Sequence, residues 1–110
     1  MANGKFIVKT DKAGEYRFNL VAGNGQVILS SEGYVQKASC MNGFESVRKH
    51  AGDDGRYERT IAANGKHHFN LKAANGQVIG TSQLYADKDG MENGIRSVAT
   101  HAPDAAVVEE

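Results

Sequence analysis

His67 and His68 offer two imidazoles, the side chain most often found on zinc and one able to serve as a general base near neutral pH. A metal needs its ligands on one side, yet neighbours in a strand point to opposite faces. The pair therefore reads as one half-buried and one solvated ring. Tyr16 and Arg17 stand in the corresponding places of an earlier segment, which argues against a shared ligand role. His50 and His101 recur at the ends of two helical stretches, where a positive ring complements the helix dipole. No serine, cysteine or acid stands at a spacing that makes either histidine part of a triad. Cys40 has no second cysteine for a disulfide or a cysteine-based zinc site, and it falls on an apolar helical stripe as a small core residue. No catalytic residue, metal or cofactor is expected.

The glycine-containing stretches Gly23-Asn24-Gly25 and Asn75-Gly76 lack the Walker pattern and lead into strands. No helix N-terminus then waits for a phosphate, and they read as hairpin turns. Tyr34 and Tyr85 are the remaining candidates. Each stands three residues after a serine at a strand-to-helix junction, with Lys37 and Lys88 three residues later. The preferred reading of each is a tyrosine whose ring plugs the end of the core and whose hydroxyl caps a helix. The functional alternative is that the four together frame a ligand groove for an anionic or planar group.

The elements that position these residues come in two copies. Shifted by about 51 residues, the sequence falls on itself without a gap, with about half the positions between Tyr16 and Ala51 identical to their counterparts. Phe18-Asn19-Leu20 meets Phe69-Asn70-Leu71, Asn24 to Ile28 meets Asn75 to Ile79, and Asn42-Gly43 meets Asn93-Gly94. Asn-Gly between half-apolar runs predicts hairpins, so each copy opens with three short antiparallel strands. These lie at about 5–10, 15–22 and 26–31, then at about 56–61, 66–73 and 77–82. A three-residue loop with Gly25 in the left-handed conformation places Leu20 across from Ile28 and Leu71 across from Ile79, whereas a two-residue turn would set Leu71 against Gly80. The expected buried face is Phe18, Leu20, Ala22 and Ile28, with Phe69, Leu71, Ala73 and Ile79.

The apolar period then changes to that of a helix, with Cys40, Phe44, Val47 and Ala51 on one stripe and Met91, Ile95, Val98 and Ala102 on the other. Asp87 is the expected N-cap of the second helix, Asp89 lies in its first turn and Pro103 ends it. Gly43 and Gly94, each unfavourable inside a helix by about 1 kcal/mol, imply close approach of helix to sheet. Ala105 to Val108 supplies a last short strand. The expected fold is α+β: one antiparallel sheet with two helices on one face and pseudo-twofold symmetry. It forms a single domain over 1–110, with repeats at about 4–54 and about 55–108.

The pattern Phe69 to Ile79, Ser82 to Tyr85 and Asn93 to Val98, echoed between Phe18 and Val47, resembles the YegP-like family of small bacterial proteins. The resemblance covers nearly the whole chain. It implies a repeated β-β-β-α-β motif in a single sheet, with exchange of the last strands. It implies no catalytic motif, because the family is one of uncharacterised proteins.

Lysine plus arginine equals aspartate plus glutamate at 13 each, so the overall basic excess that drives nucleic-acid binding is missing. The N-terminus has no apolar run behind it, and no stretch approaches the roughly 18 apolar residues of a membrane helix. A cytoplasmic protein is expected, and two copies in one chain satisfy the fold as a monomer. The reading is a non-enzymatic binding or interaction module with a protein partner. The alternatives are a small-ligand enzyme at the Tyr34 and Tyr85 regions or a nucleic-acid-binding protein.

Overall fold

The computed structural model describes residues 4–110. Each repeat lays down three strands, β1 (Lys5–Thr10), β2 (Tyr16–Val21) and β3 (Val27–Ser30), then β4 (Tyr57–Ile61), β5 (His67–Lys72) and β6 (Val78–Thr81). Helix α1 (Lys37–His50) follows the first set and α2 (Lys88–His101) the second, and the chain closes with β7 (Ala106–Glu109). All seven strands form one sheet in the order β4-β5-β6-β3-β2-β1-β7. Every pairing is antiparallel except the last, where β7 runs parallel to β1. The final strand of the second repeat thus lies against the first repeat. β4, the counterpart of β1, has β5 as its one neighbour and forms the opposite edge.

The hairpin turns follow the asparagine-glycine chemistry. Gly25 and Gly76 hold φ near +86° and +85°, a region that favours glycine, and the Asn24 and Asn75 side chains accept the N–H groups of Gln26 and Gln77. The loop has three residues, as expected, but the register beyond it differs. Val21 lies across from Val27 while Leu20 lies across from Leu29, so one residue of β3, Ile28, bulges out of the ladder. The second repeat does the same, with Lys72 across from Val78 and Leu71 across from Gly80. Consecutive strand residues normally face opposite sides; the bulge turns both Ile28 and Leu29 into the core, 4% and 0% exposed. Gly80 opposite Leu71, an unfavourable pairing from the sequence alone, gives Leu29 the space it fills.

The expected inward face is buried, with Ala73 packed at its margin. Both helical stripes also lie in the core, and both helices sit on that side of the sheet. Phe6 stacks on Phe44 at 5.4 Å and meets Phe18 edge-on at 5.8 Å. In the second repeat, Tyr57 meets Phe69 edge-on at 5.5 Å, and its hydroxyl donates to the Ala51 carbonyl at the end of α1. Asp87 caps α2 by accepting the Gly90 N–H, while Gln36 at the same place on α1 makes no such bond. The two sheet halves meet through a single β-bridge pair, Ser30 with Thr81. The helices straddle this seam: α1 packs on β2 and on β6, α2 on β5 and on β3.

Candidate functional site

Where the helices straddle the seam, two related clefts form. One, of about 220 Å³, is lined by Tyr34, Asn42, Gly43 and Ser46 of the first repeat with Asn75, Gln77 and Ile79 of the second. The other, of about 160 Å³, is lined by Tyr85, Asn93, Gly94 and Ser97 with Asn24, Gln26 and Ile28. Each is built from the helix of one repeat and the hairpin of the other, and these residues match one to one across the repeat. No charged side chain lines either cleft.

Local packing fixes the tyrosines. The Tyr34 ring lies parallel to Phe18 at 6.4 Å and the Tyr85 ring parallel to Phe69 at the same distance. Each backbone is pinned by a bridge, Tyr34 to Tyr16 and Tyr85 to His67, with two backbone hydrogen bonds apiece. The buried Ser31 and Ser82 hold the preceding turn. Their hydroxyls accept the Phe18 and Phe69 N–H groups and donate to the carbonyls of Glu32 and Gln83. The helix glycines answer the tyrosines and not the sheet backbone: a Cβ on Gly43 would lie 2.5 Å from Tyr34 Oη, and one on Gly94 closer still to Tyr85 Oη. The hydroxyls thus sit over the middle of each helix, away from its cap. Burial pushes the Tyr34 hydroxyl above its ordinary value, aided by the Glu32 charge. Tyr85 Oη is buried without a hydrogen-bond partner in the protein.

The lysines face elsewhere. Lys37 forms an ion pair with Glu109 of β7, in a cleft it shares with Tyr16, and the bond to that carboxylate raises its pKa. Lys88 lines a separate cleft beside β4 with Arg59, Ile61 and His67. The structure therefore brings Tyr34 together with Asn42 and Ser46, and Tyr85 with Asn93 and Ser97, but it divides each tyrosine from its lysine.

His67 and His68 are both half-buried, on opposite faces, so the solvated ring expected of one of them is instead packed into the sheet surface. Among the described residues, no group of three or more His, Cys, Asp and Glu side chains has metal-binding geometry. His50 and His101 bond through Nδ1 to the carbonyls of Ser46 and Ser97, at 2.9 and 2.8 Å. A carbonyl accepts only, so Nδ1 carries a proton and the rings finish their helices. Cys40 is fully buried, and that burial raises its thiol pKa. On the outer sheet face, Arg17 pairs with Asp11 at 2.6 Å and Lys72 with Glu58 at 2.9 Å, while Phe18 and Phe69 point inward.

In the sequence the tyrosines stand out as chemistry, while their cleft partners do not. The signal was present: Asn42 and Asn93, Ser46 and Ser97, Asn24 and Asn75, and Gln26 and Gln77 are polar positions identical in both copies.

Among relatives, a UPF0339 protein encoded 5′ of the ptx operon in Stutzerimonas stutzeri is 58% identical, covering 97% of this chain and 96% of that protein. A UPF0339 protein of Pseudomonas aeruginosa is 50% identical, covering 96% of each. The UPF0339 protein YegP of Escherichia coli O6:H1 is 46% identical, covering 94% of each. The solution structure of E. coli YegP, a protein of unknown function, superposes with a TM-score of 0.95 at 43% identity, covering 100% of this chain and 95% of that one. A UPF0339 protein of Shewanella oneidensis gives 0.92 at 41% identity, covering 97% and 91%. The model of a domain of unknown function, DUF1508, matches residues 11–58 and again 62–109, and the chain is therefore a tandem member of that family, alongside YegP.

Proposed function

We propose that the protein is a non-enzymatic binding module whose two seam clefts each take an uncharged, hydrogen-bonding group such as an amide or a sugar hydroxyl. The observation that carries this reading is the repetition of one cleft chemistry, tyrosine, asparagine, serine and glutamine without charge, at two places that each need both repeats. Small polar sites of this kind gain specificity from a few placed donors and acceptors on a rigid frame. The repeats, about 4–54 and about 55–108, then act as one unit, because neither holds a whole cleft. An enzyme has less support: Lys37 is tied to Glu109, and burial disfavours the ionised form of Tyr34. Nucleic acid also has less support: on the outer sheet face Arg17 is paired with Asp11 and Lys72 with Glu58, and Phe18 and Phe69 point inward instead of offering a stacking platform. We place the module in the bacterial cytoplasm as a monomer; the relatives are bacterial, and Cys40 is a free buried thiol.

The test is an amide NMR titration of the whole chain with neutral oligosaccharides and uncharged amide dipeptides. Paired shifts at Tyr34, Asn42 and Gln77 and at Tyr85, Asn93 and Gln26 are expected, and Gln26→Ala should abolish only the second set. Shifts absent from both clefts, or scattered over the outer sheet face, would sink the reading.

A further inference from the structure

The two sheet edges are related by the repeat but finished differently. β7 covers β1 in parallel, with Val107 across from Phe6 and Glu109 across from Val8. The Glu110 N–H donates to the Val8 carbonyl, Glu109 pairs with Lys37, and Arg48 donates to the Ala105 carbonyl at the strand's start. A shift of about 51 residues carries β1 onto β4, Lys37 onto Lys88 and Tyr16 onto His67. The cleft beside Lys37 reappears beside Lys88, enlarged from about 160 to about 300 Å³, and Glu109 and Glu110, which line the first, have no counterpart in the second. Lys88 is exposed, and among the described residues no carboxylate lies within ion-pair distance of it, its neighbour Glu92 being held by Arg59. Ile61, at the end of β4, is 65% exposed.

We infer that the β4 edge docks an extended segment of a partner protein, parallel to β4, with apolar residues followed by a carboxylate that reaches Lys88. An unpaired edge is a template for strand addition, in which main-chain bonds hold the strand and side chains select it. β7 itself states the pattern: Ala106-Val107-Val108-Glu109. The occupant is not β7 of a second copy, because moving β7 from β1 to another molecule's β4 closes one edge by opening another. The docked strand meets β4 in its second half, since the Tyr57 N–H is already bonded to the Asp54 carbonyl. Ala99 stands where Arg48 would be, so the carboxylate at Lys88 is the main polar anchor.

The probe is the peptide Ala-Ala-Val-Val-Glu-Glu, titrated into the labelled full chain to millimolar concentration. Saturable amide shifts are expected at Arg59, Thr60, Ile61 and Lys88. Lys88→Ala, at an exposed helix start, should leave the melting temperature unchanged and weaken binding by about threefold, the scale of one exposed ion pair. Glutamine in place of the peptide's first glutamate should do the same. The inference is overturned if β4 does not shift, or if shifts fall on β1 and Lys37 because the peptide merely replaces β7. Concentration-dependent shifts at β4 without peptide would overturn the partner segment in favour of a second copy.

Discussion

Leu29 and Gly80 face each other across the seam, and a Cβ added to Gly80 would lie 2.6 Å from both Cγ and Cδ2 of Leu29. The pseudo-twofold axis brings two equivalent positions together where only one large side chain fits. Symmetry is broken there by a leucine in one repeat and a glycine in the other. Gly80→Ala is expected to destabilise the protein by about 1–3 kcal/mol through overpacking. Leu29→Ala should cost about 2–5 kcal/mol by leaving a cavity. The exchanged pair, Leu29→Gly with Gly80→Leu, should recover part of the loss, because the space lies near the symmetry axis. Urea denaturation of these three variants and of Leu29→Gly checks this, and an exchanged pair no more stable than Leu29→Gly alone would refute it.

Two buried tyrosine hydroxyls should respond in opposite ways to the same change. Tyr57 Oη donates to the Ala51 carbonyl at 2.7 Å, so Tyr57→Phe is expected to cost about 1 kcal/mol or somewhat more. Tyr85 Oη is buried without a protein partner, so Tyr85→Phe should be neutral or stabilising. Gly94→Ala should stay destabilising even with phenylalanine at 85, because a Cβ at 94 would also lie 2.7 Å from the ring carbon Cζ of Tyr85. In the double variant this overpacking offsets the gain of about 1 kcal/mol that alanine brings inside a helix. Thermal melts of the single and double variants decide it.

The pH dependence should centre partly on Glu92. The Arg59 guanidinium, bonded to it at 2.6 Å, holds the Glu92 carboxyl below its usual 4.5 and itself bridges to Asp54. A carboxyl with a lowered folded-state pKa stabilises the fold above its unfolded value, and that contribution is lost as pH falls through the folded one. Stability should therefore decline below about pH 4.5, and Glu92→Gln should flatten that part of the curve. Denaturation midpoints measured from pH 6 to pH 3 test the sign; a Glu92→Gln profile parallel to the parent would contradict it.

Much of the architecture was legible because local and repeated signals agreed. Asn24-Gly25 and Asn75-Gly76 marked the hairpins, the Phe18 and Phe69 runs marked the buried face, and Asp87 marked a helix start. The register beyond the turn was not legible, because a bulge is set by core shape and the sequence treats Ile28 and Leu29 as opposite faces. The parallel docking of β7 was hidden too, since its exposed residues give no apolar alternation to assign a partner. The clefts were half legible. Tyr34 and Tyr85 stood out as chemistry, but Gln77 lies beside Tyr34 only because α1 crosses the seam, a relation between repeats that no spacing within one repeat contains.

The buried serines at the strand ends supply a prediction that distinguishes a structural hydroxyl from a spare one. Ser31 Oγ accepts the Phe18 N–H at 2.9 Å and donates to the Glu32 carbonyl, and Ser82 repeats both bonds with Phe69 and Gln83. Removing the oxygen leaves a buried main-chain donor with no partner, which costs about 1–3 kcal/mol. Ser31→Ala should therefore destabilise the fold by that amount and speed hydrogen exchange at the Phe18 amide before its strand neighbours. Ser82→Ala should do so at Phe69 and leave Phe18 protected. Because Tyr34 follows Ser31 by three residues, its ring should also loosen over Phe18, read as a change in the Tyr34 ring resonances. Equal protection at Phe18 with and without the hydroxyl would mean that water or a shifted turn replaces the serine.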